Sequence, residues 1–80
     1  MENIEINNRK FYLVAANDEI RDGTGIELWE IKGNEKTYLA EIFRNDKKKI
    51  VEFTADVKDL PFEILKKLIE MFDREVPVGE

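Results

Sequence analysis

The apolar residues of this chain change their period once, near residue 60, and that change limits the folds open to it. Up to about residue 55 they fall in strand-length runs between turn residues, some alternating and one apolar on both faces. From Phe62 onward they recur at three and four, as in Phe62, Leu65, Leu68, Ile69, Phe72 and Val76, which makes one apolar stripe on a helix. Strands joined by short turns and followed by a single helix imply an α+β domain. The expectation is an antiparallel β-meander of four to five strands with one C-terminal amphipathic helix packed on one face (ββββα).

Turn residues divide the first part. Ile4 and Ile6 start a short strand, and Arg9 to Ala16 forms a second, apolar on both faces and therefore expected to be central. Asn17 to Gly25 reads as a polar loop, with Gly23 and Gly25 placed for positive φ. Ile26 to Lys32 forms a strand that ends at the tight-turn pair Gly33-Asn34. Thr37 to Phe43 and Ile50 to Ala55 are two more strands, joined by the charged tip Arg44-Asn45-Asp46-Lys47-Lys48. In the fourth strand, strict alternation places Tyr38 with Ala40 and Ile42, and Leu39 with Glu41 and Phe43. For the helix, Asp59 stands at or just before the cap, Pro61 lies in the first turn and Pro77 stops it. Glu63 with Lys67 and Glu70 with Arg74 are acid-first i,i+4 pairs.

Eighty residues without repeat or linker make one domain, 1–80, whose core is thin. Cysteine, histidine, serine and glutamine are all absent. Disulfides, thiolate or imidazole metal sites and the common nucleophile–base pairs go with them, leaving carboxylate, lysine, tyrosine or threonine chemistry. With 18 acidic residues, close carboxylate pairs arise by chance and do not mark an active site. The expectation is a non-enzyme with no metal and no cofactor. No apolar stretch approaches a membrane span, and the first residues, Met1-Glu2-Asn3-Ile4-Glu5, lack the basic and apolar regions of a signal peptide. A small cysteine-free domain of this kind is expected to be cytoplasmic.

Two motif fragments fail on inspection. Asp18 to Gly23 would need oxygen ligands at Ile20 and Trp29 to form a calcium loop. Gly23-Thr24-Gly25 lacks the third glycine and the lysine of a phosphate loop, and it leads into a strand. Two surfaces remain. One helix cannot cover both faces of a sheet, so the second face should carry aromatic rings toward water or a partner. There we place a protein-binding site of Trp29, Tyr38 and Phe43, with Glu27, Glu30 and Glu41 supplying charge. The other candidate is a nucleic-acid contact by Arg44, Lys47, Lys48 and Lys49, with the sheet aromatics as stacking surfaces. The net charge of −5 and the pI near 4.8 disfavour a polyanion as ligand.

In element order the chain resembles the small single-stranded nucleic-acid-binding domains of the Whirly and transcriptional-coactivator type. That resemblance implies a nucleic-acid ligand on the sheet, but none of the group's characteristic residues is present. The functional expectation is a small acidic protein-binding module. It would be an inhibitor or immunity-type protein masking a basic partner, or a homodimeric regulator, with single-stranded nucleic-acid binding as the alternative.

Overall fold

Asn7 and Asn8 both adopt positive φ, at 50° and 66°, which is the twist a two-residue hairpin needs. They join β1 (Glu2–Ile6) to β2 (Arg9–Asp18). The chain continues through β3 (Gly23–Lys32), β4 (Glu35–Asn45) and β5 (Ile50–Ala55) to α1 (Phe62–Glu75). The structure is a computed structural model and describes residues 1–57 and 59–78. The sheet is a five-stranded antiparallel meander in the order β1-β2-β3-β4-β5, with α1 packed across one face. No helix among the described residues is long and apolar enough to cross a membrane.

The core lies between α1 and that face. Phe11, Leu13, Ile26, Leu28 and Ile42 point up from the sheet, and Ile64, Leu68, Met71 and Phe72 come down from the helix. Removing these groups from water stabilises the fold by roughly 2 kcal/mol per large side chain. The helix is rotated from the expected stripe. Ile64 and Met71 are buried, whereas Phe62 is 68% exposed and Ile69 43% exposed. The acid-first helix pairs are also replaced. Lys67 approaches Glu70, and Arg74 approaches Glu75 and, across to β1, Glu2 at 3.8 Å. Pro61 is itself the N-cap, with no side-chain capping bond, so Asp59 does not cap the helix.

Two further departures shape the sheet. First, β3 begins at Gly23, so the expected loop is shorter, and neither Gly23 nor Gly25 has positive φ. A Cβ on Gly25 would collide with the Ile42 carbonyl oxygen and stand 2.9 Å from the Phe43 Cα. Gly25 is there for close approach of β4, not for a turn. Second, the β3–β4 register shifts between Leu28 and Trp29: Leu28 faces Ala40 while Trp29 faces Tyr38. Leu39 is the extra residue and is buried in the core with Ala40. This bulge moves Tyr38 to the face that carries Glu41 and Phe43.

Glu30 lies on the helix side, in line with Leu28 and opposite Phe11, and is 4% exposed. Nε and Nη2 of Arg9 each donate to its carboxylate at 2.9 Å. It is therefore a structural ion-pair member and does not join Glu27 and Glu41 on the other face. The hydrogen bonds from Arg9, and then its charge, hold the Glu30 carboxyl below its ordinary value of 4.5. As acid is added, the unfolded chain takes up this proton first, so the pair stabilises fully above about pH 4.5 and progressively less below it. Urea unfolding from about pH 5 to about pH 3 should show falling stability, with a shallower slope in Glu30→Gln. Asp18, also depressed through hydrogen bonds from Arg21, contributes to the slope that remains.

Candidate functional site

The face turned away from α1 is organised in rows across the strands. Tyr12, Trp29 and Tyr38 sit side by side on β2, β3 and β4. The Tyr12 and Trp29 rings are stacked, with centroids 6.1 Å apart and planes 8° apart. Tyr38 meets Trp29 edge-on at 5.7 Å. Such cross-strand aromatic pairs stabilise a sheet by roughly 0.5–1 kcal/mol each. Tyr12 is buried by this packing, while Trp29 and Tyr38 keep part of their surface in water. Lys36 Nζ lies 5.4 Å from the Tyr12 ring centroid and covers that end of the row.

The next row is acidic. Glu27 on β3 stands directly opposite Glu41 on β4, an arrangement that repels unless it is compensated. Glu41 is compensated: Arg21, from the β2–β3 connection, donates to both its oxygens at 3.0 and 2.8 Å. Arg21 also donates to Asp18 at 2.7 Å, and its guanidinium lies 3.8 Å from the centroid of the Phe43 ring. Glu27 accepts a 3.0 Å hydrogen bond from the Trp29 indole N–H. Among the described residues it has no cationic partner.

The electrostatic field of this row reaches Tyr38. Burial first, and then the charges of Glu41, Asp56 and Glu27, push its hydroxyl up to about 12. The face around Trp29 and Tyr38 is thus negative, with two partly exposed rings. Aromatic faces beside a free carboxylate attract cations, guanidinium and ammonium groups above all. The acidic residues do not converge enough to hold a metal: no suitable group of three exists among the described residues. The chain matches no known protein family, no curated protein and no solved structure. Its chemistry has to be read from its own side chains.

The structure brings Trp29, Tyr38, Glu27 and Glu41 together on one face, Tyr38 by way of the bulge at Leu39 and against strict alternation. Phe43 shares that face but is only 1% exposed, closed off by Arg21, so its ring offers no contact surface. Tyr12, Arg21 and Asp56 were not among the expected site residues. Tyr12 stands out only once its register with Trp29 is known, and Arg21 sits in a connection that read as solvated. At the 44–49 hairpin, Arg44 donates to Asp46 and to the Pro77 carbonyl, and Lys48 pairs with Glu52. Lys47 and Lys49 are the hairpin cations without an ion-pair partner among the described residues. A shallow hollow of about 700 Å³ adjoins this hairpin, lined in part by Arg44, Lys49, Val51 and Pro77.

Proposed function

We propose that this chain is a small, non-enzymatic protein-binding module that covers a basic site on its partner with the face around Trp29. The observation that carries this reading is Glu27. It is a partly buried carboxylate, bonded to the Trp29 N–H and opposite a second carboxylate, with no cation among the described residues to balance it. A lysine or arginine from a partner would supply that charge and lie against the Trp29 and Tyr38 rings. The acidic net charge of −5 would speed encounter with a basic surface and repel nucleic acid. An inhibitor of immunity type, acting by masking a basic catalytic or nucleic-acid-binding surface, fits this chemistry.

An arginine-rich peptide titrated at low salt by calorimetry into the wild type and each variant tests the reading, with Trp29 emission as a second signal in the chains that keep it. Trp29 is the only tryptophan, so the signal has one source. Binding should weaken with salt and fall roughly thirty-fold (about 2 kcal/mol) in Trp29→Ala. Glu27→Gln should weaken it roughly ten-fold. A glutamate-rich peptide should not bind. Equal affinity in the wild type and both variants, or no binding by the arginine peptide, would refute the assignment.

A further inference from the structure

The two edges of the sheet differ in how they meet water. β1 is five residues long and carries Glu2 and Glu5, and acidic side chains discourage pairing with another strand. β5 has no proline, no lysine and no irregularity in its register with β4. It also exposes Ile50, Val51 and Phe53, at 48%, 44% and 55%. Two further exposed apolar groups, Phe62 and Ile69, lie on one flank of α1. Arg74 reaches Glu2 on β1, so the opposite flank of α1, with Phe62, Leu65 and Ile69, looks toward β5.

The direction of the free backbone groups of β5 follows from one hydrogen bond. The Asp56 N–H donates to the Leu39 carbonyl at 2.8 Å. In a regular antiparallel pair, inward and outward residues alternate. Ile50, Glu52 and Thr54 therefore bond to β4, and Val51, Phe53 and Ala55 aim their N–H and C=O groups at the open edge.

We propose that β5 pairs with β5 of a second copy of this chain, antiparallel and centred on Phe53. The proposal is independent of the Trp29 face, which stays open in such a dimer. A two-fold axis constrains the register, because facing residues must share a side of the sheet. Centring on Phe53 sets Val51 against Ala55 and Phe53 against itself, so every outward group of the three residues gains a partner. It also sets Glu52 against Thr54. Centring on Glu52 would oppose two glutamates, and centring on Thr54 would oppose Glu52 and Asp56, both like-charged. Centring on Val51 or on Ala55 would leave two of the three outward residues without a partner in β5, so the Phe53 register is the one that pairs all three without opposing like charges. One six-residue strand pairing is smaller than a standard protein–protein interface, so the association is expected to be weak and concentration-dependent. The dimer is a ten-stranded sheet with both helices on one side and both Trp29 faces on the other.

Sedimentation velocity from about 5 μM to about 500 μM should show a monomer–dimer equilibrium, shifted to monomer at every concentration in Phe53→Lys. The chain lacks cysteine, which allows a test of register. Phe53→Cys should oxidise to a disulfide-linked dimer, since directly opposed residues in a bonded pair have Cα atoms about 5.5 Å apart. Val51→Cys should not, because its partner is residue 55. Circular dichroism confirms that each variant is folded. A wild type that is monomeric at the highest concentration, a larger oligomer, or cross-linking of Val51→Cys instead of Phe53→Cys would overturn the proposal.

Discussion

Leu68→Ala should lower the unfolding free energy by about 3 kcal/mol. Leu68 is wholly buried at the middle of α1, between Ile64 and Phe72, and rests on the sheet core. The core is a single layer, so the space left by the lost methyls has few side chains able to move into it. An 80-residue domain has a total stability of roughly 4–12 kcal/mol, so the variant loses a quarter or more of it. Urea unfolding followed by Trp29 emission should show a lower midpoint with an unchanged slope, since the same surface is exposed on unfolding. Phe62→Ala, on the same helix but largely in water, should change stability by no more than about 0.5 kcal/mol. A loss at Phe62 equal to that at Leu68 would mean that α1 presents a different flank to the sheet.

Arg21→Ala should cost about 2 kcal/mol, although Arg21 is itself 42% exposed at its side chain. The cost arises at the other end of the pair. The Glu41 side chain is 7% exposed, faces Glu27 across the strands and relies on both Arg21 hydrogen bonds. Without the guanidinium, two facing carboxylates share a poorly hydrated spot, and Phe43 loses its cover. The solvent-facing end of the pair is screened, which keeps the figure below that of a fully buried bridge. Glu41→Gln alone should cost less than about 1 kcal/mol, because it also removes the repulsion from Glu27. The double variant Arg21→Ala/Glu41→Gln should then recover at least about 1 kcal/mol relative to additivity. Strict additivity in this cycle would show that the bridge does no more than decorate the surface.

Much of the architecture was legible in the sequence. A run apolar on both faces at Arg9–Ala16 and alternating runs at Ile26–Lys32, Thr37–Phe43 and Ile50–Ala55, each bounded by turn residues, located the strands, and the shift to helical spacing located α1. What escaped was orientation. The apolar arc of α1 is wider than its contact with the sheet, so periodicity alone did not show that Ile64 and Met71 turn inward while Phe62 and Ile69 turn out. The bulge at Leu39 leaves no mark in an alternating pattern, yet it decides that Tyr38 stands beside Trp29. Glu30 was grouped with Glu27 by composition, whereas strand parity sends it beneath the helix to Arg9. Long-range partners such as Arg21 and Glu41, 20 residues apart, become visible only in three dimensions. The helix does leave the second face uncovered, but Tyr12 and Phe43 are buried there by their own neighbours, and Trp29 and Tyr38 carry what exposure remains.

Quenching of the single tryptophan tests the account at its centre, because it reads the accessibility and the charge of this face together. Acrylamide, caesium and iodide are neutral, cationic and anionic quenchers, and each is scaled to its own quenching of free N-acetyltryptophanamide. Acrylamide should quench clearly, with caesium well ahead of iodide at low salt and the gap narrowing in Glu27→Gln. Emission untouched by all three, or quenched equally by caesium and iodide, would contradict an open, negatively charged face around Trp29.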